Sequence, residues 1–181
     1  MKLNSQRQWF IIGGIVAVVA AAAAVGVRLA PPRIDVGVRA PNFTATDLTT
    51  GKLVSFNADY RGNVTLVNVW ATYCIPCRQE IPAMDSLYQA LRGQGFRIAA
   101  ISIDPLPPAQ VKAFADQYHI SFDVLQDSTG RIEQLYRTTG VPESFLIDRQ
   151  GQIVRIVQHA AEWNTPEVRQ IVAELLGPKA G

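Results

Sequence analysis

The sequence predicts an α/β fold, a mixed sheet with helices packed on it, and three stretches carry that prediction. Val64–Trp70 (Val-Thr-Leu-Val-Asn-Val-Trp) is a β-branched and aromatic run of strand length. Behind it Ile81, Met84, Leu87, Tyr88 and Leu91 recur at helical spacing, and residues 96–103 supply a second strand of buried type. Strand, helix, strand in that order means a parallel, right-handed crossover. Near the C-terminus, residues 144–147 and 153–157 flank Asp148-Arg149-Gln150-Gly151, a hairpin signature. A parallel unit and a hairpin together require a mixed sheet.

The chain has 181 residues, 48% of them hydrophobic and 18% charged, which fits one folded domain with an appendage and excludes a disordered chain. The formal charge of +2 misleads. Lys2, Arg7 and Arg28 lie at or beside the N-terminal segment and all 15 acids lie beyond residue 30, so residues 31–181 carry one net negative charge. No basic patch argues for nucleic acid.

Residues 9–27 form a run of 19 without a charge, Trp-Phe-Ile-Ile-Gly-Gly-Ile-Val-Ala-Val-Val and then mostly alanine. About 20 apolar residues span a bilayer. Lys2, Arg7 and the free amine precede the run, so the positive-inside rule keeps the N-terminus in the cytoplasm, although Arg28, Arg33 and Arg39 follow it. The chain therefore divides into a cytoplasmic terminus (1–8), a transmembrane signal anchor (9–29), a tether (30–40) and a folded domain (41–178). A cleaved signal peptide is the competing reading, with Ala22-Ala23-Ala24 as small-residue cleavage site. The apolar run exceeds the roughly 7–15 residues of a signal core, and no cysteine is nearby for lipid attachment. Either way the domain is expected outside the cytoplasm, with the anchored form in the inner membrane as a single-pass protein.

Pro31-Pro32 stiffens the tether, and Ala40-Pro41-x-Phe43 opens the domain. Residues 43–47 and 52–56, joined by Leu48-Thr49-Thr50-Gly51, read as a hairpin set before the main sheet. Residues 59–63 read as the turn into the first central strand. Gly93 and Gly95 stop the helix that carries Ile81 to Leu91. Val111, Phe114, Ala115 and Tyr118 mark another helix, residues 122–125 a short strand, and Ile132, Leu135 and Tyr136 a short helix. Thr165 as N-cap with Pro166 begins a last helix through Val168, Ile171, Val172, Leu175 and Leu176, ended by Gly177-Pro178.

The chain's only two cysteines, Cys74 and Cys77, sit where the strand turns into the helix. A helix start presents unpaired N–H groups and the positive end of the helix dipole. Helix N-termini and Cys-x-x-Cys spacing lower a cysteine pKa from about 8.5 to roughly 3.5–7.5. Cys74 is thus the expected nucleophile, and Cys77, one turn on, can close a disulfide behind it. Pro76 fits at a helix start, where its missing N–H has no partner to lose.

At Trp70-Ala71-x-x-Cys74-x-Pro76-Cys77-Arg78-x-Glu80-x-Pro82, and again at Gly140-Val141-Pro142-Glu143-Ser144-Phe145-Leu146-Ile147-Asp148, the sequence resembles the membrane-anchored thioredoxin-like reductases of the TlpA/ResA type. These are close cousins of the CcmG/DsbE proteins of cytochrome c maturation. The resemblance covers residues 38–176 and implies a thioredoxin-like fold with an N-terminal hairpin and a central insertion. It implies a thiol-disulfide oxidoreductase, a reductase of partner disulfides, acting on proteins with disulfides or thiols such as apocytochrome c or a copper-site protein. A membrane electron donor would recharge it, and neither cofactor nor metal is expected. By the resemblance Cys74 and Cys77 form the redox-active disulfide, and Glu80 is a buried acid handling protons at the dithiol. Asn68 stands where thioredoxin has a buried aspartate and cannot ionise, so another group must move protons. Pro142 matches a cis-proline lying against the disulfide, with Val141 pairing its backbone with substrate. Glu143 replaces the commoner Thr or Ser and resembles the CcmG-like branch.

Trp70 and Tyr73 are expected beside the disulfide with Pro76, forming an apolar rim that contacts substrate, though Trp70 can equally be core. Glu80 can instead be a surface acid at a helix start. His119, His159 and Trp163 receive no role. Zinc needs about four ligands, and neither histidine lies at finger spacing from the cysteines. A structural disulfide closing so short a loop would restrict the unfolded chain little. Two other functions compete: a dithiol metal or haem chaperone without turnover, and a peroxiredoxin-like peroxidase. The copper chaperones of the Sco type use Cys-x-x-x-Cys, one residue longer than here. A peroxidatic cysteine needs a threonine three residues upstream, where this chain has Ala71.

Overall fold

The computed structural model describes residues 5–29 and 33–177, with side chains in the first stretch described at Trp9, Phe10 and residues 12–23. Lys2, Pro31-Pro32 and Pro178 lie outside the described residues. The chain divides into two compact units, residues 1–32 and 33–181. The first contains one helix, α1 (Ser5–Leu29). Among the described residues no helix is long and apolar enough to cross a membrane. The uncharged run of the sequence extends beyond the side chains described, so the anchor rests on the sequence alone.

The second unit is built on a seven-stranded mixed sheet in the order β2-β1-β5-β4-β3-β6-β7. β3 (Val64–Trp70) lies near the middle, parallel to β4 (Phe96–Ser102) and antiparallel to β6 (Glu143–Ile147). All seven residues of β3 are buried. Helices cover both faces, which is why its sequence reads as a continuous apolar run and not as an alternation. β4 is in turn parallel to β5 (Asp123–Gln126), and β7 (Ile153–Val157) closes the expected hairpin on β6.

The early hairpin, β1 (Thr44–Asp47) and β2 (Leu53–Ser55), is not set apart from the main sheet. β1 pairs antiparallel with β5 and makes the hairpin the sheet's outer edge. The segment after it departs from the expected simple turn: Phe56–Tyr60 is one turn of π-helix, capped by Ser55 and with Phe56 and Tyr60 buried. These two rings pack with Phe43 on one sheet face, so burying them decides a geometry that local turn chemistry does not. The tether is also shorter than expected. Gly37 donates to Ile153 O at 2.8 Å, Ile153 to Val38 O at 2.9 Å and Ala40 to Gly151 O at 2.9 Å, which stitches residues 37–40 to the start of β7.

One face of the sheet carries α2 (Ile75–Leu91), α3 (Pro108–Gln117) and α5 (Pro166–Leu176), packed on Leu66, Trp70, Ile98, Ala100 and Leu146. The other carries the π-turn and α4 (Arg131–Tyr136), packed on Val67, Val69, Ile101, Phe145 and Ile147. β3 thus presents Asn68 and Trp70 to the face where α2 starts. Thr165 Oγ1 caps α5 by accepting from the Val168 amide at 3.3 Å.

Candidate active site

The cysteines are joined in a disulfide, with Cα atoms 5.3 Å apart. Cys74 is the N-cap of α2, and its Sγ accepts the Cys77 amide at 3.1 Å. A sulfur placed so receives a helix-start N–H directly, which favours the thiolate when the bond opens. Pro76 is in the first helical turn, where it removes no hydrogen bond. Exposure separates the two sulfurs: Cys74 retains 6%, Cys77 only 1%. An incoming partner can therefore meet Cys74 first.

Glu80 lies on the buried face of α2 with Cys77, Ile81 and Met84 and is 3% exposed. It is not a surface acid. Its Oε1 accepts Asn68 Nδ2 at 2.9 Å, and its Oε2 accepts the Ala161 amide at 3.2 Å and Trp163 Nε1 at 3.0 Å. Asn68 Nδ2 also donates to Ser144 Oγ at 2.9 Å. Burial pushes the Glu80 pKa above the usual carboxylate range, opposed in order by the bonds from Trp163, Ala161 and Asn68 and by the charge of His159. Three N–H donors that favour the charged form work against the desolvation that disfavours it. The net direction is up, toward the neutral acid.

The Val141–Pro142 bond is cis. Glu143 pairs with Val69, so Pro142 comes level with Trp70 at the end of β3 from which the cysteine loop leaves. Tyr73 and Ile75 flank Cys74 with 62% and 65% exposure and form apolar surface beside it. Trp70 is different: at 2% exposure it is core, its ring 5.6 Å from that of Phe114, so it leaves almost nothing for a substrate to touch. Glu143 is buried on the opposite sheet face, where it accepts the Thr139 amide at 3.0 Å and Gln158 Nε2 at 3.3 Å.

A second buried carboxylate, with no sequence motif to mark it, braces the loop ahead of Cys74. Asp104 is fully buried; it accepts the Thr72 amide at 2.8 Å, Thr72 Oγ1 at 2.6 Å and Ser102 Oγ at 2.7 Å. Arg78, on α2, closes the same loop by donating from Nε to the Thr72 carbonyl at 2.8 Å, its guanidinium 5.4 Å from the Phe114 ring centre. Trp163 and Ser144 were likewise not marked as site residues by any spacing. The one signal for Trp163 in the sequence is a large aromatic in a short stretch with no other large apolar residue.

A disulfide at a helix start, opposite a cis-proline and with a buried acid one turn on, defines a dithiol redox protein of thioredoxin-like fold. The chain belongs to the AhpC/TSA family, whose model matches residues 36–156, and within it to the ResA-type thiol-disulfide oxidoreductases. It is 36% identical over 126 residues to the thiol-disulfide oxidoreductase ResA of Bacillus thuringiensis, covering 70% of this chain and 71% of that protein. The ResA of Oceanobacillus iheyensis is 31% identical over 170 residues, 88% of this chain and 86% of that one. Among solved structures, a DsbE-type thiol:disulfide interchange protein from Chlorobium tepidum superposes with a TM-score of 0.72 at 29% identity, over 80% of this chain and all of that one. The thioredoxin domain of a Bacteroides vulgatus thiol-disulfide oxidoreductase gives 0.69 at 27% identity, over 78% of this chain and all of that one. The protein is a thiol-disulfide oxidoreductase that acts on proteins through their thiols or disulfides.

Proposed function

We propose that this protein is a reductase of partner-protein disulfides, held by residues 9–29 at the outer face of the cytoplasmic membrane. The carrying observation is the contact between the Cys77 amide and Cys74 Sγ, with buried Glu80 one turn further along. In the reduced enzyme the Cys74 thiolate attacks one sulfur of the partner's disulfide. A mixed disulfide forms and the partner's other sulfur leaves as a thiolate. Glu80 then takes the proton of Cys77, whose sulfur attacks Cys74 Sγ; the mixed disulfide breaks, the Cys74–Cys77 bond forms, and the partner keeps two electrons. A membrane electron donor returns the enzyme to the dithiol. Tyr73, Pro76 and Val141 would contact the partner beside Pro142. The similarity to ResA and DsbE proteins supports apocytochrome c or a copper-site protein as partner, and the 19-residue uncharged run supports the anchor.

Cys77→Ser should accumulate mixed disulfides with partners on non-reducing gels, and Cys74→Ser should not. Adducts seen only with Cys74→Ser would overturn the order of attack. The direction of flow is tested by the equilibrium potential against a glutathione or dithiothreitol couple: a reductase is expected below about −200 mV, and a value near −120 mV would make the protein an oxidant.

A further inference from the structure

Residues 158–163, in the segment between β7 and α5, carry no motif, yet they reach two buried acids, Glu143 and Glu80. Gln158 Nε2 donates to Glu143 Oε1 at 3.3 Å. Three residues on, the Ala161 amide and the Trp163 indole converge on Oε2 of Glu80, at 3.2 and 3.0 Å. Trp163 is 3% exposed, and its ring belongs to the same apolar cluster as Cys74 and Cys77. An indole N–H and a backbone N–H can only donate. At this oxygen they accept a carboxylate as partner and offer nothing to a carboxylic acid O–H.

We propose that Trp163 is a positioning residue for the dithiol: its bond to Oε2 orients Glu80 and holds it as the carboxylate that can take the proton of Cys77. The inference rests on the reading of Glu80 as proton acceptor. A protonated Glu80 cannot accept that proton, and an ionised Glu80 without donors is costly to bury. The Trp163 bond favours the ionised state by giving it a donor, and together with the bonds from Ala161 and Asn68 it opposes the effect of burial. The groups around Glu80 are few. α2 brings Cys77, β3 brings Asn68 and β6 brings Ser144 through Asn68, the last two without a charge to gain. The strap itself brings His159, exposed, whose protonated form favours the carboxylate.

Trp163→Phe keeps a buried ring and deletes the N–H. In the full-length protein the carbon-13 resonance of the Glu80 carboxyl should titrate at higher pH than in wild type. Release of partner from the mixed disulfide should be about tenfold slower at neutral pH and recover as pH rises, the effect of one charged hydrogen bond. Adding Trp163→Phe to Glu80→Gln should cost nothing further, since the residues act as one unit. If Trp163→Phe folds poorly, benzothienylalanine at position 163, with sulfur in place of the N–H, gives the same comparison in an almost unchanged shape. An unmoved Glu80 titration, a loss equal at every pH, or losses that multiply in the double variant would each overturn the proposal. If wild type does not exchange with protein disulfides at all, the functional reading fails instead, and the Glu80 titration still decides whether Trp163 holds the carboxylate.

Discussion

Two buried carboxylates bracket the cysteines, and they are held in opposite ways. Asp104 is bonded to the loop ahead of Cys74; its donors are the Thr72 amide and the hydroxyls of Thr72 and Ser102. Hydroxyls rotate between donating and accepting, and all three donors belong to the two strand ends that the acid ties together. Glu80 lies on the helix after Cys77, and its donors are three N–H groups at sequence separations of 12, 81 and 83. Two of those, a backbone amide and an indole, cannot reverse. One carboxylate braces a loop through groups at those two strand ends, and the other is gripped by N–H donors from distant segments.

The largest expected effect on the fold is therefore at Asp104. Asp104→Ala leaves a buried amide and two hydroxyls without their acceptor and should cost about 3 kcal/mol in urea unfolding. The folded fraction should still exchange disulfides. The comparison breaks if Glu80→Gln destabilises the protein more than Asp104→Ala does.

Glu80→Gln should show the reverse profile. Exchange with a disulfide partner should slow by about 100-fold at neutral pH, the lower end of what proton transfer contributes. Stability should fall by about 1–2 kcal/mol, because the new amide must turn its NH₂ toward one of three donors. This differs from the expectation for a buried charge lacking partners, whose removal would be nearly free. The raised Glu80 pKa also fixes the pH dependence. A group whose folded pKa lies above its unfolded 4.5 contributes full stability below that value and loses it as pH rises through the folded pKa. Unfolding midpoints of wild type should decline over that window relative to those of Glu80→Gln, and parallel pH curves would show that Glu80 does not titrate.

The smallest effect is expected at Trp70, whose Nε1 is buried with no partner among the described residues. Trp70→Phe gives up apolar area but removes an unsatisfied donor, so the change in midpoint should correspond to less than about 1 kcal/mol. A large loss would mean that the indole N–H is bonded in solution.

The same contrast explains how much could be read in advance. Val64–Trp70 is legible to the residue because burial on both faces leaves an unbroken β-branched run. Cys74 and Pro76 mark the helix start, and Glu80 falls on the face shared with Cys77 and Met84, but spacing leaves a surface acid equally open and only the family resemblance marks Glu80 as buried. Periodicity is a property of one element, however, and the holders of Glu80 come from two other segments. In the sequence Asn68 stands out for the charge it lacks, not for the hydrogen it donates. Trp163, Ala161, Ser144 and Asp104 are joined by contacts between distant segments that no local pattern records. The π-turn at 56–60 was missed for a related reason, since Phe43, Phe56 and Tyr60 meet only in the packed structure.

A seven-stranded sheet has two outer rims, and each is a row of peptide groups that another chain can anneal to. Here one rim, β2, is only three residues long. The other is occupied at its start by residues 37–40, which take both peptide groups of Ile153, and Arg155 places an exposed charge on what is left. An oxidoreductase of protein disulfides has other polypeptide chains brought against its surface. With both rims blunted, such chains find a place to exchange sulfur bonds but little template on which to aggregate.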